Sequence, residues 1–278
     1  MKVCRTIAEL RETLAPCRAS SIGFVPTMGA FHEGHLELMR VAKRANPIVV
    51  VSLFVNPTQF APHEDLSKYP RREAQDLAEA EAQGVDVVFM PSVDEMYANA
   101  NTVVTVKGVS DRWEGQQRPE HFAGVATVVS KLFNIVQPDT AYFGYKDLQQ
   151  CAVIRRMVTD LNIPLELSFV ETVREEDGLA MSSRNTYLSA EQRALAPMFN
   201  KSLREMAQQV NSGTTTVADA TLLTKGKLSQ LGLSPDYVAL VNPWTMEELT
   251  VAQDEARIMA AVRLGPVRLL DNIPLVTA

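Results

Sequence analysis

Three short segments of this chain concentrate side chains able to handle phosphate. The first is Pro26-Thr27-Met28-Gly29-Ala30-Phe31-His32-Glu33-Gly34-His35. His32 and His35 stand three apart, so at the start of a helix both imidazoles face the same way. There they can donate hydrogen bonds to phosphate oxygens as charge builds in a transition state. Gly34 between them lets a nucleotide approach the backbone closely. The second segment is Phe143-Gly144-Tyr145-Lys146-Asp147, followed by Gln149 and Gln150. An ammonium group at that point neutralises polyphosphate charge. The third is Asp177-Gly178-Leu179-Ala180-Met181-Ser182-Ser183-Arg184-Asn185. Its two hydroxyls and guanidinium, in a loop containing a glycine, make an adaptable phosphate clamp.

Each segment also has an ordinary reading. A single histidine is more often packed or superficial than catalytic, Lys146 alone reads as a surface lysine, and Ser182 to Arg184 alone reads as a polar linker. A zinc pair is the other use for two histidines. His-Glu-Gly-His is one residue short of the His-Glu-x-x-His spacing, however, and no cluster of Cys or His supplies the remaining ligands.

The elements that must position these residues follow an alternating pattern. Strands are expected at 21–27, 47–55, 85–90, 139–144 and 165–173, and helices at 34–45, 71–83, 124–136 and 148–161, the signature of a parallel α/β sheet. The run 47–55 is continuously apolar and β-branched, as suits a strand buried on both faces. The histidine segment lies where the first core strand passes into a helix, the usual ligand-facing edge of an open sheet, where helix amides attract phosphate. A lysine just past the end of another strand projects toward the same edge. Composition shifts after the polar stretch 174–178. Beyond it a long helix is expected from Ser189, whose hydroxyl and Gln192 form a capping box, with strands at 237–241, 256–264 and 267–270. The expected organisation is α/β: a parallel-sheet domain over 1–180 and a smaller C-terminal α+β domain over 181–278. The N-terminal stretch reads as a short helix capped by Thr6 and Glu9.

Composition narrows the function classes. The net charge is −6, from 33 acidic and 27 basic side chains, so a nucleic-acid partner is not expected, and any anion must be held by local groups. No stretch approaches the ~20 apolar residues of a membrane span, and no signal peptide is read at the N-terminus. Cys4, Cys17 and Cys151 match no metal or redox spacing and read as reduced thiols in a cytoplasmic protein.

Taken together, the segments resemble the nucleotidyltransferase superfamily that carries an H-x-G-H motif, and within it the pantoate–β-alanine ligase family. The resemblance rests on six ordered stretches: PTMGAFHEGH, VVSLFVNPTQF, KYPR, RPEHFAGVATVVSKLFNIVQPDTAYFGYKDLQQ, REEDGLAMSSRN and VRLGPVRLLDN. It implies a Rossmann-like domain with a smaller C-terminal domain, and a homodimer. It implies adenylation of the pantoate carboxylate by ATP, with magnesium carried on the nucleotide and no metal ligated by the protein itself. By the same resemblance Met28, Gly29, Ala30, Phe31, His32, Glu33, Gly34 and His35 line the ATP site, with His32, His35 and Lys146 in catalytic roles. Gly144, Tyr145, Lys146, Asp147, Val173, Met181, Ser182, Ser183 and Arg184 complete it. Gln59 and Gln150 bind pantoate, and Gln59 also contacts β-alanine. Val128 and Val129 face pantoate's gem-dimethyl group or simply pack in the core. Tyr145 departs from the family, where an acidic or amide residue often precedes Lys-Asp, and Asn242 stands where an acidic residue is common. The competing readings are a related transferase acting on a phosphorylated alcohol, which has no need of Gln59 and Gln150, and a nucleotide-binding sensor without catalysis.

Overall fold

Val25, Val49, Val51 and Val88 are solvent-free, as side chains must be in strands covered on both faces. In the computed structural model, which describes residues 1–61 and 66–275, these residues sit at the middle of a six-stranded sheet. Its strands are β1 (Lys2–Cys4), β2 (Ile22–Thr27), β3 (Ile48–Leu53), β4 (Val87–Phe89), β5 (Thr140–Gly144) and β6 (Glu166–Val170). All pair in parallel, in the order β1-β4-β3-β2-β5-β6. The chain runs from β2 outward to β3 and β4, then returns to the other side of β2 for β5 and β6. Strand order therefore reverses between β2 and β5, the topological switch point at which open α/β sheets bind ligands. The connecting helices are α1 (Ile7–Leu14), α2 (Glu33–Ala45), α3 (Glu73–Ala82), the short α4 (Val93–Tyr97) and α5 (Glu114–Gln117), α6 (His121–Val136) and α7 (Leu148–Asp160).

The N-terminal stretch is not helix throughout. The Thr6–Glu9 capping box does open α1, but the residues before it form β1, which pairs with β4 and buries Cys4 completely. A strand of three residues is too short to leave a period in the sequence.

Packing divides the chain into two compact units. One comprises Met1–Gly144 with Val153–Val170; the other comprises Tyr145–Ala152 and the chain from Glu171 onward. The second unit holds a three-stranded antiparallel sheet, β7 (Ser234–Val241), β8 (Arg257–Leu264) and β9 (Val267–Pro274), in that order. The β8–β9 hairpin turns through Gly265-Pro266, with Gly265 at φ +59, the left-handed conformation glycine supplies at the first position of a tight hairpin. Helices α8 (Ala190–Leu195), α9 (Pro197–Asn211) and α10 (Val217–Gln230) belong to the same unit. Phe199, Leu203, Met206, Leu228, Leu240 and Ile258 form its core.

Two expectations for this unit are corrected, and one helix is added. The capping box at Ser189 and Gln192 is present, but the helix breaks at Ala196 and restarts at Pro197, because proline has no N–H to continue the ladder and suits a first helical position. Strand β9 runs past Leu270 to Pro274. Helix α10 leaves little trace in the sequence because its apolar residues hold no single face: Leu222 and Leu223 are exposed while Thr224 is buried. Among the described residues no helix is long and apolar enough to cross a membrane.

Candidate active site

The residues singled out from the sequence divide between the two units. Residues 28–35 and Gln59 lie in the first; Lys146, Gln150, Val173 and residues 181–184 lie in the second.

Past the end of β2 the backbone enters the left-handed region twice in succession, at Gly29 (φ +84) and Ala30 (φ +53). Glycine does this freely, but for alanine it costs roughly 1–2 kcal/mol. One side chain holds the turn. Asp76, on α3 and only 2% exposed, accepts the amide of Ala30 on Oδ2 and that of Phe31 on Oδ1, both at 2.9 Å. Burial pushes the Asp76 carboxyl above the usual range, against the opposing pull of these two amides. Read from the sequence, Asp76 is one more acidic residue on a polar helix. The available signal is its spacing, four before buried Ala80 and so on the inward face.

His32 is the N-cap of α2. Its Nδ1 accepts the Gly34 amide at 3.2 Å, and His35 Nδ1 reaches back to accept the His32 amide at 3.4 Å. This is a capping box in which two imidazoles replace the usual Ser and Glu. The rings lie 4.1 Å apart between centroids at 41°. Acceptance at Nδ1 assigns the proton of each neutral ring to Nε2, so both histidines have an Nε2–H donor. The demand for glycine at position 34 comes from this geometry. A Cβ there would meet His32 Cε1 at 2.9 Å and Nδ1 at 3.0 Å. A larger residue would have to push the capping ring aside, a reason for glycine beside the nucleotide approach expected from the sequence. The Glu33 carboxylate pairs with Arg40 further along the same helix, at 2.5 Å.

Beyond β3, Gln59 closes a short turn and is buried. Its Oε1 accepts from Asn56 Nδ2 at 3.1 Å, and its Nε2 donates to Met28 Sδ at 3.1 Å. Asn56 is itself fixed by the Tyr97 hydroxyl, which donates to its Oδ1 at 2.7 Å, and by the Gly124 carbonyl at 3.2 Å. Gly124 has to be small here, since a Cβ would lie 2.4 Å from the Thr58 carbonyl oxygen. The amide of Gln59 thus has a set orientation, with one N–H and one lone pair committed. Of these supporting residues, Asn56 lies inside the VVSLFVNPTQF stretch without standing out there, and Tyr97 lies outside all six stretches. Val128 and Val129 are both buried on α6.

In the second unit a single helical turn, Tyr145–Asp147, leads into α7, with Gln150 half-buried in its first turn. Lys146 Nζ lies 3.6 Å from Asp147 Oδ1. The Tyr145 ring lies 4.7 Å from the Arg257 guanidinium and 6.0 Å from the Trp244 ring. It is a stacking platform for a cation. Cys151 is fully buried, and burial pushes its thiol well above the ordinary range, as expected of an inert structural cysteine.

The serine loop is a tight excursion from a narrow base. Met181 donates its amide to the Val173 carbonyl at 3.0 Å, Arg174 and Ala180 form a β-bridge, and Gly178 turns the chain at φ +92. Ser182 Oγ accepts the Arg184 amide at 3.3 Å, the Ser183 carbonyl accepts Thr186 Oγ1 at 2.8 Å, and Asn185 Nδ2 donates to the Ala180 carbonyl at 3.0 Å. Lys146, Ser182, Arg184 and Asn185 line one cleft with Ala180 and Phe199. With Arg268 the lining holds three basic residues beside Ser182, a composition that suits a polyanion. Among the described residues no three or more His, Cys, Asp or Glu side chains gather as a metal site.

The family model for pantoate–β-alanine ligases matches residues 2–274. The chain belongs to the pantoate–β-alanine ligase family. Pantothenate synthetase of Chloroflexus aurantiacus is 50% identical over 98% of this chain and 97% of its own length. That of Brucella anthropi is 51% identical over 98% and 96%. Among solved structures, pantothenate synthetase of Thermus thermophilus superposes with a TM-score of 0.94 at 47% identity, covering 99% of both chains. The pantoate–β-alanine ligase of Francisella tularensis, in complex with beta-gamma ATP and β-alanine, gives 0.85 at 32% identity over 100% of this chain and 99% of that one. Family membership agrees with the six-stranded parallel sheet and the separate three-stranded antiparallel sheet described above.

Proposed function

We propose that the protein condenses pantoate with β-alanine at the expense of ATP, through an acyl-adenylate. A carboxylate is a poor electrophile. In the first step its oxygen attacks the α-phosphorus of ATP, the bond to pyrophosphate breaks, and pantoyl adenylate forms. The β-alanine nitrogen then attacks the acyl carbon, AMP departs with the bonding pair, and the nitrogen loses a proton. His32 and His35 donate from Nε2 to phosphate oxygens as the α-phosphorus gains charge. Lys146, Ser182, Ser183 and Arg184 hold the departing phosphates. Residues 28–31, Glu33, Gly34, Gly144, Tyr145, Asp147 and Met181 shape the nucleotide site, and Val173 contacts the adenine. Gln59 and Gln150 bind pantoate through neutral amides, which leave the nucleophile's charge intact, and Gln59 also meets β-alanine. The N–H and O–H donors on these segments fit phosphate oxygens; magnesium would come with the ATP, held by phosphates and water, and would offset phosphate charge. The family resemblance further supports a homodimer working in the cytoplasm.

The observation that carries this reading is the shared cleft of Lys146, Ser182 and Arg184, in a chain whose length from residue 2 to 274 matches the family. Steady-state AMP release from ATP tests it. Release should require pantoate and β-alanine together and fall to background when either is omitted. Pyrophosphate release driven instead by a phosphorylated alcohol, with the adenylyl group kept on the product and no AMP set free, would assign the chain to the transferases.

A further inference from the structure

Strand β9 carries Asp271 and Asn272 side by side, 2% and 1% exposed. Neighbours on a strand face opposite ways, and these two side chains serve different segments. Asn272 Nδ2 donates to the carbonyls of Tyr145 at 2.7 Å and Lys146 at 3.2 Å. Its Oδ1 accepts Arg257 Nε at 2.7 Å. Arg257 in turn grips Glu171 with two 2.8 Å bonds and lies against the Tyr145 ring. The carboxylate of Asp271 takes Arg174 in a two-pronged pair at 2.8 and 2.9 Å, and also accepts Asn200 Nδ2 at 2.9 Å. Arg174 donates on to the Gly178 carbonyl at 3.2 Å and forms the bridge with Ala180 at the base of the serine loop. We infer that Asp271 and Asn272 are the positioning pair of the phosphate cleft. Asn272 fixes the backbone that carries Lys146, and Asp271 fixes the hairpin that presents Ser182 and Arg184. Two side chains on one strand thereby set the spacing between the ammonium and the loop. Tyr145 belongs to the same device, as the surface on which Arg257 is held. The inference rests on the reading of Lys146 and the serine loop as phosphate-binding.

Hydrogen exchange on the full-length protein tests the placement without reference to activity. Asn272→Asp keeps the acceptor for Arg257 but removes both donors to the carbonyls, and should speed exchange at 145–148 while leaving 174–184 protected. Asp271→Asn should do the reverse. Equal loosening of both segments by either variant, or of neither, would overturn the pair's division of labour. The link to chemistry is read by pyrophosphate–ATP exchange with pantoate. Asn272→Asp should lower the exchange rate by about tenfold or more, since displacing a charge contact by an ångström is enough for a loss of that size, with little change in the KM for ATP. In a Lys146→Ala background the same substitution should add almost nothing, because both changes remove one contact. Losses that multiply would show Asn272 acting on the fold at large and would contradict the inference. Should Asn272→Asp melt too low for assay, Asn272→Ala carries the same cycle. Absence of exchange in the wild type would count against the proposed reaction, and the hydrogen-exchange result would still decide the positioning role.

Discussion

The histidine turn and the lysine cleft are built by opposite means. His32 and His35 are oriented by near neighbours: each Nδ1 accepts a backbone amide within three residues, and α2 supplies the frame. A more distant group, Asp76, braces the turn before them. Lys146 and the serine loop are oriented by side chains of β9 some 90 to 130 residues further on. A locally capped motif is specified wherever its sequence occurs after a strand. A cleft assembled by distant side chains exists only once the antiparallel sheet of the second unit has formed. The first kind of site depends on few groups elsewhere in the chain, Asp76 being one, while the second ties chemistry to the folding of a particular strand.

The sharpest way to break this comparison is to remove the charge that the second arrangement holds. Lys146→Ala should lower single-turnover adenylate formation by about 100-fold or more, the loss typical of one transition-state contact. Near-normal adenylation would remove Lys146 from the mechanism and leave the β9 network holding nothing of consequence. A smaller effect is expected on the histidine side. In Asp76→Asn the new NH2 cannot accept, so Ala30 or Phe31 loses its partner, a penalty of about 1–3 kcal/mol for a buried donor. Adenylation should fall by about tenfold while hydrogen exchange at 145–148 stays as in the wild type.

The same variant gives a pH test. Because burial raises the Asp76 carboxyl, its contribution to stability is fully present below the unfolded pKa and is lost as the pH rises through the folded one. The melting-temperature gap between wild type and Asp76→Asn should therefore narrow as the pH is raised through the carboxylate range. A gap that widens would mean the two amides outweigh burial.

What the sequence makes legible follows the same division. The strand, turn and helix around His32 and His35 are readable because most of the groups that shape them are close in the chain, as are the capping boxes at Thr6 and Ser189. The role of Asp76 is hidden because an aspartate among Glu and Gln residues of a helix reads as solvated; its partners lie 45 and 46 residues earlier. The expected end of β9 at Leu270 falls short for a related reason. Asp271 and Asn272 look like the polar close of a strand, whereas their buried side chains are satisfied by Arg174, Arg257 and two carbonyls that only the fold brings near. Lys146, Ser182 and Arg184 stand out by residue type, yet the reason they share a cleft is not visible in any single segment.

The central claim is that the carboxylate is activated before the amine attacks, and isotope exchange between pyrophosphate and ATP tests it most directly. Given ATP, magnesium and pantoate, with β-alanine left out, the enzyme should incorporate labelled pyrophosphate into ATP; with β-alanine in place of pantoate it should incorporate none. Exchange that does not need pantoate, or no exchange even when pantoate is present, would contradict the acyl-adenylate route.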